Sequence, residues 1–586
     1  MMLQDKQRPH LFSPGQIGPV TLANRVVMAP MTTRLADAEG FTTSAGEAYY
    51  QARAAGGVGL VTVEMAAPER VGKHRRFELG IYDDRFLPGL SRLVEIIHHE
   101  GAKAAIQLGH GGGHTRVDIC GETPIAPSAI PHCVQEGHTE IIVPQAMSHQ
   151  RIAETVRAFA DAADRAARAG FDVVEIHGAH GYLLSQFMSP LENRREDEFG
   201  GKLENRARLA LEITRAVRHA VPSLGVVFRM NGDDFFEGGM TAEEAMTVAR
   251  WASEAGADAI HVTGGHYRSH PNASIMIPPM ATMATPFLGF ARGLKSAVPV
   301  PIITVGRFGD PAVAAAAVAS GDADFVALGR PLLADADWVK TAYEKREVRR
   351  CLACNSCVDG MRSGDRLRCI VNPTTGREAL AKTMQPVRTG QRIAVVGAGP
   401  AGLAYAAEMA LANEVTLFEK RMEVGGALRL AGLAPLFQEV EASSESLAAH
   451  SAAQLRRCRE RDVSIHLGTD VVRDPASLAG FHHVVVATGA CYRGGVGRIL
   501  EPLLRRGFLR RAPFAWLAKS PRLRNWFYYR ARKATGPSLV SQLRMLGFSA
   551  TSIGDAARPG KTDAAVASAF AAAYGLPLAR DERHDT

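Results

Sequence analysis

Cys351, Cys354 and Cys357 stand at successive two-residue gaps, and Cys369 follows after eleven intervening residues. Four sulfurs within nineteen residues can surround one metal centre only if the backbone curls around it. Asp359, Gly360, Ser363, Gly364 and Asp365 supply turn formers for that loop. Zinc modules usually split their ligands into two separated pairs, whereas three close cysteines and a distant fourth suit a 4Fe–4S cluster. Zinc and uncoordinated structural cysteines are the alternatives. A second pattern points to an anion. Val305-Gly306-Arg307 and Leu328-Gly329-Arg330 each end an apolar run with a glycine, whose bare backbone can approach a phosphate, and an arginine able to neutralise it. One such pair would read as an ordinary strand-to-helix turn, and two in succession imply a phosphorylated cofactor. A third pattern is a glycine turn, Gly397-Ala398-Gly399-Pro400-Ala401-Gly402, entered from the apolar run Ile393–Val396. Glu419 lies 22 residues past Gly397, after a second such run, where a carboxylate would meet a ribose hydroxyl. Gly426, Ala487-Thr488-Gly489 and Asp555 in Ile553-Gly554-Asp555 complete a pattern that holds an adenine dinucleotide.

The elements that must position these groups are legible as apolar runs. Eight occur over the first 345 residues: Val26–Pro30, Val58–Met65, Lys103–His110, Asp172–His180, Gly225–Gly232, Ala259–Gly265, Pro301–Arg307 and Asp324–Arg330. Strands buried on both faces read as continuous apolar segments, and eight alternating with helical stretches predict a parallel (β/α)₈ barrel. The fold class is therefore α/β: a TIM barrel, an iron–sulfur loop and a Rossmann-like dinucleotide domain. The expected divisions are residues 1–345 for the barrel, 346–376 for the cluster loop, 377–390 for a linker and 391–490 for the dinucleotide domain. Residues 491–535 form a basic aromatic insertion, and 536–586 complete the domain with a closing helix over Ala557–Ala573.

Polar residues gather at the carboxyl ends of the barrel runs, where barrel active sites are built. Three of these stretches carry a resemblance: Asn24-Arg25-Val26-Val27-Met28-Ala29-Pro30-Met31-Thr32, Gln107-Leu108-Gly109-His110, and Glu175 through Leu184 with its His177, His180 and Tyr182. Ser189 through Gly201, followed by Glu204-Asn205-Arg206, extends it. The chain resembles the old yellow enzyme family, in the branch of 2,4-dienoyl-CoA reductase and trimethylamine dehydrogenase. The resemblance implies FMN, with Pro30, Met31 and Thr32 along the isoalloxazine and Gln107 at its pyrimidine edge. It also places Arg229 on the N1–O2 side, and Gly306, Arg307, Gly329 and Arg330 at the phosphate. For the second domain it implies FAD, or ADP as a relic.

Two imidazoles leaving one strand can donate two hydrogen bonds to a carbonyl oxygen, lowering the energy of the enolate-like charge that forms when hydride reaches the β-carbon. Tyr182 can then protonate the neighbouring carbon, since a phenol with pKa near 10 stays protonated at neutral pH. The bland alternative makes all three packed core residues. Two departures from the family stand out. An arginine expected after the His-x-Gly of the third strand is absent from His110-Gly111-Gly112-Gly113-His114, and His266 aligns only ambiguously with a second catalytic histidine. Of the four tryptophans, neither Trp251 nor Trp338 reaches the cavity as the barrel is read, so the aromatic cage for a methylated ammonium is missing.

Composition bounds the rest. The 586 residues are 46% apolar and 22% charged, a globular composition of two to four domains rather than a disordered one. Eight cysteines in such a chain are no disulfide scaffold, and the opening residues carry no apolar signal-peptide core. A cytoplasmic location is expected. The net charge of +8 is uneven: Arg493 to Lys533 holds twelve Lys or Arg and only Glu501 as an acid, so this segment carries +11 and the remainder −3. Full-length relatives place a nicotinamide unit between the Ala-Thr-Gly and Gly-Asp runs, but only 64 residues, Ala490 to Ile553, fill that interval. A separate domain, at about 100 residues, does not fit. The basic segment, with Phe508, Phe514, Trp516, Trp526, Phe527, Tyr528 and Tyr529, suits an acidic electron-transfer protein such as a ferredoxin or electron-transfer flavoprotein. A peripheral membrane contact or a solvated insertion would also account for it, whereas nucleic acid does not suit a flavin context. The leading function is an ene-reductase acting on an α,β-unsaturated carbonyl or enoyl-CoA. The alternatives are an amine or C–H dehydrogenase passing electrons to a protein acceptor, and a non-catalytic flavoprotein subunit. Substrate identity and self-association stay open.

Overall fold

A computed structural model describes residues 10–269, 273–431, 442–492 and 531–577, with positions 520, 522 and 526. The chain divides into two compact units, Met1–Arg368 with Thr374–Ala379, and Cys369–Pro373 with Leu380–Thr586. Residues 346–368 therefore group with the first unit and not as a unit of their own.

The first unit is built on eight parallel strands: β1 (Val26–Met28), β2 (Leu60–Ala66), β3 (Lys103–Leu108), β4 (Val173–Gly178), β5 (Gly225–Asn231), β6 (Ala259–Thr263), β7 (Ile302–Val305) and β8 (Phe325–Leu328). They pair in chain order and close β8 onto β1. The side chains of β4 and β5 are buried throughout, as expected for strands sandwiched between a filled interior and outer helices. Observed strands are shorter than the apolar runs. In β1 the ladder stops before Pro30, which has no N–H to donate. A hairpin of Gly15–Ile17 and Val20–Leu22 packs Ile17, Val20 and Leu22 against Leu60, Ala105, Val173 and Ala259, filling the amino-terminal end of the barrel. Chemistry is left to the opposite end.

The second unit carries a five-stranded parallel sheet: β9 (Arg392–Val396), β10 (Glu414–Glu419), β11 (Ser464–Leu467), β12 (His483–Val486) and β13 (Ala550–Ser552), ordered β11-β10-β9-β12-β13. This is a doubly wound order with its switch point at the end of β9, where dinucleotides bind. The closing helix runs Thr562–Tyr574, not Ala557–Ala573, because Pro559 and Gly560 intervene after the short turn Gly554–Ala556. Residues 377–390 are not uniformly a linker. Glu378–Ala381 is a helical turn, and the Glu378 carboxylate is ion-paired to buried Arg53. Of the basic segment Arg493 to Lys533, all but positions 520, 522, 526 and 531–533 lie outside the described residues.

Candidate active site

The carboxyl end of β4 turns sharply. His180 and Gly181 both take positive φ, 66° and 83°, and a side chain on Gly181 would meet the His266 ring at 2.6 Å. A non-glycine residue in that conformation carries strain that surrounding contacts must hold. Here the His180 N–H donates to Asn231 Oδ1 at 3.3 Å, and its Nε2 lies 3.1 Å from Thr263 Oγ1. The turn brings the His177 ring within 5.3 Å of His180 and 5.1 Å of Tyr182. The Ala179 N–H donates to His177 Nδ1 at 3.4 Å, which leaves the proton on Nε2. Burial, with the charges of His180 and Arg229 added to it, holds His177 well below the usual imidazole range, and burial with Arg229 does the same to His180. Both rings are neutral at pH 7. Burial and the neighbouring Tyr267 push the Tyr182 phenol well above its usual value, so it keeps its proton.

A buried polar layer lies beneath. Gln107 Nε2 donates to Glu175 Oε1 at 2.8 Å, His261 Nδ1 lies 2.7 Å from Glu175 Oε2, and Arg229 Nη1 is 3.7 Å from Glu175. Burial opposes the Glu175 charge, but His261 and Arg229 outweigh it and hold its pKa below the usual range. Glu175 and His261 carry no motif of their own in the sequence. The available signal was an acid two residues before His177, on the same inward face of a strand otherwise apolar. Bound this way, the Gln107 amide presents its carbonyl oxygen as an acceptor.

Whether these residues fit FMN is tested by what the protein leaves unsatisfied. Arg229 Nε, His261 Nε2 and Thr304 Oγ1 are buried without a hydrogen-bond partner. Orphaned buried polar atoms are costly unless a ligand or water completes them. Pro30, Met31 and Thr32 are half-buried between fully buried neighbours. Gly329 brings the end of β8 against Met31, whose sulfur would lie 3.1 Å from a Cβ there. Gly306 and Arg307 turn with φ of 111° and 59°, and burial, with the neighbouring Arg330 charge added to it, lowers the Arg307 pKa from its usual value. These groups fit a phosphorylated flavin. Arg330 differs from expectation in one respect: its guanidinium also donates to the Asn355 side chain and to Pro278 O (2.8 Å for the latter), so it braces the cysteine loop as well.

In that loop Ala353 and Asn355 take positive φ, 50° and 59°, curling the chain around Cys351, Cys354 and Cys357, none of which forms a disulfide. The Ala353 N–H donates to Cys351 Sγ at 3.3 Å, as amides do around a sulfur-ligated centre. Burial, reinforced by the other two thiols, pushes Cys357 up to about 12. The three thiols lie close enough for Cys351 and Cys354 to act on Cys357, and their chemistry suits a thiolate-bound centre, while Cys369 falls in the second unit.

In the second unit a Cβ on Gly397 would meet Ala487 O at 2.5 Å and one on Gly402 would meet Gly397 O at 1.9 Å, so both are required by the fold. At Gly399 the nearest protein atom, the Cα of Gly426, would be 3.9 Å away, which leaves room for a pyrophosphate. The two acids are already engaged. Glu419 accepts the N–H groups of Ala398 (2.8 Å) and Arg421 (3.0 Å). Asp555 accepts from Arg532 (2.8 Å) and from the Gly560 N–H (3.0 Å).

A closed (β/α)₈ barrel with neutral histidines, a protonated phenol and a phosphate turn over its last strands defines a flavin-dependent oxidoreductase of the old yellow enzyme type. Residues 10–349 match the NADH:flavin oxidoreductase / NADH oxidase family, to which the chain belongs, and residues 395–431 match an NAD(P)-binding Rossmann-like domain. The chain is 38% identical over 492 residues to an NADH oxidase of Thermoanaerobacter brockii, covering 82% of this chain and 73% of that one. It is 32% identical over 492 residues to an N,N-dimethylglycine/sarcosine dehydrogenase of Chromohalobacter salexigens (82% and 69%). It is 34% identical over 445 residues to a cinnamate reductase of Clostridium sporogenes (71% and 65%). Among the described residues no helix is long and apolar enough to cross a membrane.

Proposed function

We propose that the protein is an ene-reductase in which hydride passes to the β-carbon of an α,β-unsaturated carbonyl. FMN, when bound, supplies that hydride. His177 and His180 hold the carbonyl oxygen as neutral donors, Tyr182 gives its proton to the α-carbon, and Gln107 and Arg229 orient the flavin ring from the Glu175 layer. The observation that carries this reading is the convergence, within about one ring diameter, of two unprotonated imidazoles and one protonated phenol at the end of β4. Relatives bear names pulling in opposite directions, a cinnamate reductase and an N,N-dimethylglycine/sarcosine dehydrogenase. The tryptophans favour the first. Trp338 is buried with its indole N–H on Gly309 O at 3.1 Å, and Trp251 sits in the outer helix Ala242–Glu254, so neither builds a cation cage at the site.

Electrons reach the barrel from outside in this reading. A 4Fe–4S cluster on Cys351, Cys354, Cys357 and Cys369 lies in the chain between the two nucleotide regions and serves as conduit, and the second region holds FAD or ADP. An acidic electron-carrier protein docking at the basic segment is the donor, because the interval after Ala490 is too short for a nicotinamide domain. The test is anaerobic. Photoreduced protein is mixed with 2-cyclohexenone, and oxidised protein with N-methylated amines. Reoxidation of the flavin by the enone, without bleaching by the amines, is the expected result, and the reverse pattern overturns the proposal.

A further inference from the structure

Tyr182 is not alone at its oxygen. Tyr267, in the loop after β6, places its hydroxyl 3.0 Å from the Tyr182 hydroxyl, and Arg75 Nη2 donates to Tyr267 at 3.3 Å. The Tyr267 ring is clamped. His114 stacks flat on it at 3.7 Å and 17°, and the Arg362 guanidinium carbon lies 5.8 Å from its centroid. Arg75 is itself fixed by Glu136 at 3.0 Å and by Gln135 O. We infer that Tyr267, held by Arg75, is a positioning residue that passes a proton to Tyr182 during each turnover.

This inference rests on Tyr182 being the proton donor. As the α-carbon is protonated, the Tyr182 O–H bond breaks, the new C–H bond forms, and the O–H electron pair stays on the phenol oxygen. The Tyr267 proton then moves to that oxygen. The negative charge comes to rest on Tyr267 beside Arg75, where an opposite charge stabilises it, until solvent returns the proton. The hydride that balances the reduction comes from the reduced flavin. The charged and titratable groups around the pair support this direction. Burial opposes ionisation of Tyr267, but Arg75 and then Arg362 outweigh it and bring its pKa below the usual phenol value, while Tyr182 is pushed up. His114 and His177 are held neutral by burial, His74 faces Tyr182 at 4.9 Å between the ring centres, and Glu78 adds a negative charge that further favours the protonated Tyr182. The two phenols titrate as a pair, and the Arg75 guanidinium on the Tyr267 hydroxyl favours placing the negative charge there.

The test uses FMN-loaded protein, reduced anaerobically and mixed with 2-cyclohexenone across alkaline pH, together with an ultraviolet titration of tyrosinate that needs no turnover. Tyr267→Phe keeps the ring on His114 and removes only the hydroxyl. Expected are an unchanged FMN content, reoxidation slowed about 10- to 100-fold at neutral pH, an alkaline limb moved to higher pH, and loss of the lowest tyrosinate transition. Arg75→Lys keeps a charge without the fork and should raise that transition without abolishing it. A Tyr267→Phe protein with wild-type rate and an unmoved limb overturns the inference while leaving Tyr182 as donor. A Tyr182→Phe protein that reoxidises at the wild-type rate overturns both.

Discussion

The two nucleotide regions treat their polar groups in opposite ways. In the barrel, Arg229, His261 and Thr304 each bury an atom that no protein group completes, and Glu175 organises the donors around the gap. In the Rossmann-like unit, the acids that would meet a ligand are already satisfied: Glu419 by two backbone N–H groups, Asp555 by Arg532 and Gly560. Unsatisfied buried atoms cost stability that a ligand or water returns, so a ligand that completes them stabilises the barrel. In the second unit these two acids already hold protein donors, and each keeps further lone pairs for a ligand.

The largest effect belongs to the barrel. Tyr182→Phe should slow flavin reoxidation by an enone about 10²- to 10⁴-fold, the usual worth of a positioned acid, without changing FMN content. Stopped-flow absorbance reads the first and extraction of the cofactor the second. Next, Arg229→Met removes a buried charged donor and should weaken FMN retention about 10- to 100-fold while leaving the second nucleotide at its original stoichiometry. Equal loss from both regions would erase the contrast. Smaller again is Arg532→Ala, which releases Asp555. FAD bound per chain should rise with ADP unchanged, and a fall in FAD would show that Arg532 is a ligand rather than a competitor.

The smallest effect is on stability. Burial holds His114, His177 and His180 well below the usual imidazole range, His132 at about 4, and His261 below its usual value. Unfolding returns each to about 6.5, so below that pH the unfolded chain binds the extra protons and stability falls. His266, raised by Glu192 against its burial, Glu64, pushed up by burial to about 7, and Asp234, raised by burial, act in the opposite sense. With His483 also held at about 4, the depressed imidazoles outnumber the raised groups, which include Glu212 and Asp555 as well, and Tm falls as pH drops from about 7 to about 5. A flat or rising Tm across that window contradicts the burial of neutral histidines.

What could be read from sequence follows what local pattern encodes. Barrel strands announce themselves because burial on both faces demands unbroken apolar runs, and Gly397, Gly399 and Gly402 because a turn, a ligand and a helix each exclude a side chain at one of them. Partnerships across the fold were not readable. Arg330 bracing Asn355, Arg532 closing on Asp555, and Tyr267 meeting Tyr182 across 85 residues depend on where loops return, which no periodicity records. His261 was hidden for the same reason: in sequence it is one polar residue inside an apolar run, and its meaning comes from Glu175 on a strand two places away.

The most direct measurement of the central claim is reduction of 2-cyclohexenone by the photoreduced protein in D₂O, with the product analysed by NMR. Ene-reduction here requires a solvent-derived deuterium at the α-carbon, placed by Tyr182, and a second at the β-carbon, because the reduced flavin's transferable hydrogen also comes from D₂O, with the two in a single relative configuration. A product racemic at the α-carbon, or no product while N-methylated amines bleach the oxidised flavin, would contradict it.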